Sequence, residues 1–321
     1  MNSRILEDKY EIIKEIKKGG FGIVYYGIDR NLSKPIAIKE IAPNLLGFPK
    51  YMDMFQDEAL KIAKLSHPNI VHIYDLIKTA DGRHYIIMEY IDGIDLEKVI
   101  RRTRKLGRKI PPHLAVYIVS EICIALDYAY HRRDAVSSKS LNLVHQDISP
   151  SNIMISRSGN VKLIDFGIAL IPREFMRAMS GQKVVGKIHY MAPEQLTQGN
   201  HPEHRSDLFS LGLVLYECLI GRRVFSNREE LVAAAKSGEW IREPLEEKGL
   251  PPILEKILHT AIEADLSKRY QSAMDLYQEA MQYLVSCHIS GDLMEQLADY
   301  IKELFLGGRL TTNNEYIQRS F

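Results

Sequence analysis

Asp147, Asn152 and Asp165 are the residues whose types and spacing could do chemistry. The stretch His145-Gln146-Asp147-Ile148-Ser149-Pro150-Ser151-Asn152 offers a carboxylate and then, five residues on, a side-chain amide. A second carboxylate, in Asp165-Phe166-Gly167, follows 13 positions after the amide. Two short apolar runs lie between them, Ile153-Met154-Ile155 and Val161-Lys162-Leu163-Ile164, parted by Ser158-Gly159-Asn160. That pattern predicts a hairpin, which sets Asn152 at its entry beside Asp165 at its exit. Two oxygen ligands on one rigid element suit a hard divalent cation. Magnesium fits best, because it takes one or two protein oxygens and leaves the rest to phosphates and water. Asp147 has no cationic neighbour in the next four positions and can act as a base. Any one of the three would read as a turn cap; the set reads as a site.

The elements that must position them begin near the N-terminus. Tyr10 to Ile16 is strand-like, and Lys17-Lys18-Gly19-Gly20-Phe21-Gly22-Ile23-Val24 makes a glycine-rich turn into a second strand. Such a backbone can lie close over a phosphate and aim its N–H groups at the oxygens. Pro35-Ile36-Ala37-Ile38-Lys39 follows as a third strand and places one lysine on a buried element, where it needs a partner. The segment from about 49 to 65 is predicted helical, with Phe55, Ala59, Ile62 and Ala63 on one face. Glu58 is the acidic partner expected for Lys39, and spacing leaves Asp57 open as well. Residues 112 to 131 and 206 to 220 read as long buried helices.

Composition excludes several classes. A chain of 321 residues with 45% hydrophobic and 26% charged residues is ordinary globular protein, long enough for a two-lobed unit. A net charge of +1 gives no general pull toward nucleic acid or anionic membrane. Cys123, Cys218 and Cys287 lie far apart in helix-like apolar contexts, as expected of reduced, buried thiols in a cytoplasmic protein. The longest largely apolar run, Leu208 to Ile220, is 13 residues and too short to span a bilayer.

With these landmarks in order, the chain resembles the eukaryotic-like protein kinases, and most of all their bacterial serine/threonine branch. The resemblance runs from about residue 8 to 285. It also rests on His67-Pro68-Asn69-Ile70-Val71, Met88-Glu89-Tyr90, Met191-Ala192-Pro193-Glu194, Ser206-Asp207-Leu208-Phe209-Ser210-Leu211-Gly212 and Arg269-Tyr270. It implies an α+β bilobal fold with a small β-rich N-lobe with one main helix (1–90) and a larger, mainly helical C-lobe (91–285). The implied activity is transfer of the γ-phosphate of ATP to serine or threonine hydroxyls of proteins, with magnesium, or manganese as the alternative ion. Lys39, oriented by Glu58, would hold the α and β phosphates. Asn152 and Asp165 would bind the metal, and Asp147 would take the substrate proton. Gly19, Gly20 and Gly22 would cover the phosphates, and Glu89 to Ile91 would form the hinge to adenine behind Met88. Val24, Ala37 and Met154 would sandwich the ring, and Asp95 would reach the ribose. Glu194 and Arg269 would form a structural ion pair, while Asp207 would anchor the catalytic loop.

Departures from the family pattern carry their own expectations. Lys17 replaces the first loop glycine, and Gln146 stands where regulated kinases have the arginine that receives an activation-segment phosphate. Ser149 replaces the lysine that usually neutralises the γ-phosphate, and Lys187 occupies a position that usually holds threonine. Lys187 is therefore expected to supply the missing charge. The rival class is a pseudokinase or nucleotide-binding scaffold; a tyrosine or dual-specificity kinase is the nearer alternative. Lys98, Arg101, Arg102, Arg104, Lys105, Arg108 and Lys109 form a basic run between hinge and the next helix, expected to be a solvated face. Zinc binding by His201 and His204 is not expected, since no sulfur ligand supports it. Residues 286–321 are expected to hold an amphipathic helix, with Leu293, Met294, Leu297, Ile301, Leu304 and Phe305 as its stripe, and a polar tail. That stripe would dock on its own lobe, or alternatively build a homodimer. Two variants test the departures: Ser180→Ala should remain active in a kinase assay, and Lys187→Ala should lose most turnover.

Overall fold

The computed structural model describes residues 4–20, 22–46, 49–134, 137–166, 188–196, 202–225, 227–237 and 249–306. Some side chains within its helices, Glu58 among them, lie outside the description. Six strands form an antiparallel sheet: β1 (Arg4–Leu6), β2 (Tyr10–Gly19), β3 (Gly22–Asp29), β4 (Lys34–Ile41), β5 (Ile73–Lys78) and β6 (His84–Glu89), in the order β1-β2-β3-β4-β6-β5. The helices α1 (Pro43–Leu46) and α2 (Pro49–Ile62) connect β4 to β5. Period-two alternation on β4 sorts the residues. Ile36 and Ile38 enter an apolar cluster with Leu6, Tyr10, Ile77, Tyr85 and Ile87, which leaves Ala37 and Lys39 on the opposite face. On the Ile38 face, buried Glu40 accepts from Tyr25 Oη (2.9 Å), Tyr85 Oη (3.1 Å) and Arg83 Nη1 (3.0 Å). Those donors satisfy a carboxylate that burial would otherwise penalise.

A second sheet of three short strands, β7 (Gly93–Asp95), β8 (Ile153–Ser156) and β9 (Val161–Leu163), lies in the order β7-β8-β9. The hairpin expected from the sequence is the β8–β9 pair, with Ile153 opposite Leu163. The rest is helical: α3 (Leu96–Lys105), α4 (Pro112–His131), α5 (Pro193–Leu196), α6 (His204–Ile220), α7 (Arg228–Ser237), α8 (Pro252–Ala261), α9 (Ala273–Ser286) and α10 (Leu293–Leu306). The expected bilobal α+β architecture is the one observed. α4 and α6 form the centre of the larger lobe; α6 is buried from Ser206 to Leu219. Gly212 lets α8 approach, since a Cβ there would come within 2.7 Å of the Ala261 side chain.

The structure fills in two readings of the sequence and corrects two others. The basic run presents the expected solvated face, most of it on helix α3: Leu96, Val99, Ile100 and Thr103 are buried on one side, and the charged residues of the helix lie around the rest. Cys123 and Cys218 are buried, but Cys287, just past α9, is exposed. Leu208–Ile220 is not the most membrane-like segment, because α4 is long and apolar enough to cross a bilayer by length and composition. Most of its apolar window is instead buried inside the lobe. The stripe of α10 packs on α3 and α4 of its own chain, the first of the two expected arrangements, with Leu297, Tyr300, Ile301 and Leu304 buried. The exposed positions described on α10 are Glu295, Asp299, Lys302 and Glu303, all charged.

The larger lobe is locked by one buried ion pair. Arg269, whose side chain is fully buried, donates from Nη1 to Glu194 Oε1 at 2.8 Å and from Nη2 to Oε2 at 3.3 Å. Ser206 Oγ adds a third bond to Glu194 at 2.6 Å. Burial pushes the Glu194 carboxyl up, but the Arg269 and Ser206 bonds outweigh it, so its pKa lies below the usual value. Its stabilising share is present at neutral pH and is lost as pH falls below about 4.5. Arg269→Met should leave Glu194 buried and unpaired, costing about 3–5 kcal/mol in urea unfolding at pH 7. The deficit should shrink as Glu194 becomes protonated in acid.

Candidate functional site

Lys39 and Asp165, 126 positions apart, meet where the sheet faces the hairpin: Lys39 Nζ donates to Asp165 Oδ1 at 2.6 Å. The β4 alternation turns Lys39 inward, and the end of β9 delivers Asp165. Asp165 has φ 59°, in the left-handed region. Holding a non-glycine residue there costs on the order of 1–3 kcal/mol, a strain typical of functional sites. Asn152 ends the 3-10 turn Pro150–Asn152, and its carbonyl accepts the Ile164 N–H at 2.9 Å, fastening it to the residue before Asp165. Its amide nitrogen donates to Asp147 at both the backbone carbonyl and Oδ2, each 2.8 Å. The amide oxygen is thereby turned away from Asp147. The result is one carboxylate and one amide held beside each other, a donor set that fits a hard oxygen-seeking cation and not a soft one.

The loop carrying Asp147 hangs from a buried carboxylate. Asp207 Oδ2 accepts the His145 N–H at 2.6 Å and Oδ1 accepts the Gln146 N–H at 2.7 Å. Gln146 takes φ 63°, a left-handed turn in the backbone between these bonds and Asp147. Burial pushes Asp207 up to about 7, against the pull of the two N–H bonds. His145 receives the Asp147 N–H on Nδ1 (3.2 Å) and therefore presents Nε2–H to the Ile164 carbonyl (3.0 Å), while its ring packs on Phe166. Gln195 at the end of α5 ties this loop to the next segment: its Nε2 donates to the Gln146 carbonyl at 3.0 Å and its Oε1 accepts the Ala192 N–H at 2.8 Å.

An apolar slot adjoins the site. Ala37, Val71 and Met88 are buried together, with Val24, Tyr90, Ile91 and Ile164 packed against them. The sheet register sets Ala37 opposite Met88 and Val24 opposite Lys39. Met154 sits between Asp95 and Lys162 in the second sheet, on the face opposite the fully buried Ile153 and Ile155. Glu89, at the end of β6, donates its backbone N–H to the His72 carbonyl (2.9 Å), and its side chain accepts the His72 N–H (3.3 Å) and pairs with Lys162 at 3.0 Å. Asp95 caps α3, accepting from Lys98 N at 2.8 Å and pairing with Lys98 Nζ at 3.4 Å, so its carboxylate has a structural job besides any contact with a ligand. Gly22 opens β3 at φ 149°, and a Cβ there would lie 1.9 Å from the Glu40 carbonyl, so only glycine fits. Gly19 closes β2 with room around it, and Gly20 occupies the turn.

The structure thus brings together Lys39, Asp147, Asn152 and Asp165, and it assembles the slot from Val24, Ala37, Met88 and Ile91. Asp57 is exposed on α2 and is not the partner of Lys39. The Glu58 side chain, Gly167, Ser180, Lys187 and His201 lie outside the described residues. Val71, Ile164 and Gln195 were missed in the sequence. Ile164 had a signal, since it directly precedes Asp165 on the exit of an alternating strand, whereas Gln195 had none.

The Asp207 carboxyl titrates higher folded than unfolded. Its protonated form therefore adds stability fully present below about pH 4 and lost as pH rises through about 7. Wild type measured against Asp207→Asn by thermal unfolding should show this difference declining across that window. Turnover of Asp207→Asn should fall at every pH, because an amide offers only one oxygen to two N–H groups.

Comparison with known proteins agrees with this geometry. The chain is 34% identical over 312 residues to the tyrosine-protein kinase MasK of Myxococcus xanthus, covering 94% of this chain and 47% of that protein. It is 32% identical over 279 residues to the serine/threonine-protein kinase PknB of Mycobacterium leprae, covering 84% and 42% respectively. The chain thus spans less than half the length of these curated relatives. Among solved structures, the kinase domain of Mycobacterium tuberculosis PknI shares its fold, with a TM-score of 0.65 at 23% identity over 88% of this chain and 99% of that one. Residues 10–283 match the protein kinase domain, and the chain belongs to that family.

Proposed function

We propose that the chain is an ATP- and magnesium-dependent protein kinase that transfers the γ-phosphoryl group to serine or threonine hydroxyls, its own included. The observation that carries this reading is the convergence of Lys39 on Asp165 with Asn152 bonded to Asp147. Phosphoryl transfer needs little covalent help, so positioned charge is the main thing a protein must supply. Lys39 binds the α and β phosphates, and Glu58 on α2 is its orienting partner. Asn152 and Asp165 would hold the magnesium, which would neutralise phosphate charge when bound. Asp147 accepts the proton of the attacking hydroxyl, held at the right place by Asn152 and by the Asp207-anchored loop. Gly19, Gly20 and Gly22 cover the phosphates. Val24, Ala37 and Met154 enclose adenine beside Met88, with backbone groups of Glu89 to Ile91 as its polar partners, and Asp95 faces the ribose. Lys187 supplies the cation that Ser149 lacks. A cytoplasmic location accords with the two buried cysteines, Cys123 and Cys218.

A tyrosine-directed kinase is the second reading. Ser149 departs from the serine/threonine loop, and one of the relatives bears the name tyrosine-protein kinase. Asp147→Asn should lower turnover on the order of 10²–10⁴-fold in an autophosphorylation assay while nucleotide binding persists. Phosphoamino-acid analysis of the product should return phosphoserine or phosphothreonine. Unchanged turnover in Asp147→Asn would overturn the kinase mechanism, and phosphotyrosine alone would select the second reading.

A further inference from the structure

Helix α10 lies outside the matched family domain, which ends at residue 283, yet it is built into the lobe. It touches two places that matter to the site. Along its length it packs on α3, where the buried hydroxyls of Thr103 and Tyr300 satisfy each other at 2.9 Å. Arg102 Nε donates to the Leu304 carbonyl at 3.2 Å, placing a cation on the last turn of α10, and Arg108 pairs with Glu303 at 2.8 Å. At its start it meets the tip of the hairpin. Gly159 stands at φ +83°, and a Cβ there would lie 1.9 Å from the Met294 carbonyl.

Both contacts lead directly to the proposed ligand groups. α3 begins at its cap, Asp95, and packs against the turn Pro150–Asn152. The hairpin clasped at Gly159 carries Met154 within it, Asn152 before it and Asp165 just after it. Asp95, Met154, Asn152 and Asp165 therefore all sit on or beside one three-stranded sheet. A sheet of three-, four- and three-residue strands has little stiffness of its own.

We propose that α10 is an intramolecular brace that sets the metal ligands: by gripping α3 and the β8–β9 tip together, it fixes Asn152 against Asp165. Leu297, Tyr300 and Gly159 are then positioning residues that never touch nucleotide. This inference rests on the metal assignment under Proposed function.

The test compares ADP affinity with and without magnesium, by calorimetry on the 321-residue chain, for Leu297→Ala, Tyr300→Phe and Gly159→Ala. Gly82→Ala is the strain control, having φ +79° with nothing within 4 Å of its would-be Cβ. Misplaced supporting residues weaken metal binding by about tenfold or more, so the enhancement of ADP binding by magnesium should fall about tenfold in Leu297→Ala and Gly159→Ala, less in Tyr300→Phe, and not in Gly82→Ala. Metal-free ADP affinity should change little, which a general loss of folding would not produce. Where Leu297→Ala fails to fold, Tyr300→Phe decides. A wild-type enhancement in the folded brace variants overturns the brace. Asp165→Asn separates the two readings: if it keeps the magnesium enhancement, the metal assignment itself fails.

Discussion

The bond between the Lys39 ammonium and the Asp165 carboxylate constrains everything around it. An ammonium on an inner strand face is tolerable only with an anion close by, and the anion comes from the other sheet, 126 positions later. The register of β4, the β8–β9 hairpin and the left-handed backbone at Asp165 together bring the two groups to 2.6 Å. The pair is also a switchable one. On the proposed function, this contact would be exchanged for contacts to a charged nucleotide and its metal without either charge being left bare.

The loop bearing Asp147 obeys a different rule. Its backbone N–H groups are anchored by side chains: two donate to Asp207 and one to His145, while the Asn152 amide donates back to Asp147. At Gln146 the anchoring bonds are made by the backbone, its N–H to Asp207 and its carbonyl from Gln195, and depend little on its side chain. Position and charge are separable here. Gln146 and Ser149 carry no charge, yet Asp147 and Asn152 remain bonded to each other.

Much of this was legible in the sequence, because short-range patterns determined it. Alternation in Pro35–Lys39 faced Lys39 inward, and Ser158-Gly159-Asn160 between two apolar runs made Asn152 and Asp165 neighbours. The failures came where a pattern was masked or where packing was non-local. The stripe Leu96, Val99, Ile100 and Thr103 has helical spacing, but the five cationic residues interleaved with it drew attention to charge and not to the helix. Cys287 follows an apolar helix and looks buried, yet it falls one residue past the end, where the chain turns to solvent. The bond from Gln195 to the Gln146 carbonyl spans 49 positions and involves a side chain with no special spacing.

Helix α4 has one further consequence, for synthesis. Its apolar residues from Leu114 to Ala129 are covered chiefly by α6 and α9, which begin at His204 and Ala273. A ribosome releases α4 long before either cover exists, so a span as apolar as a membrane helix waits in water with its partners unmade. Long-range burial of this kind slows folding and exposes the nascent chain to aggregation. Chains cut short before α9 would keep that surface open permanently and would be substrates for chaperones and proteases rather than smaller, partly active enzymes.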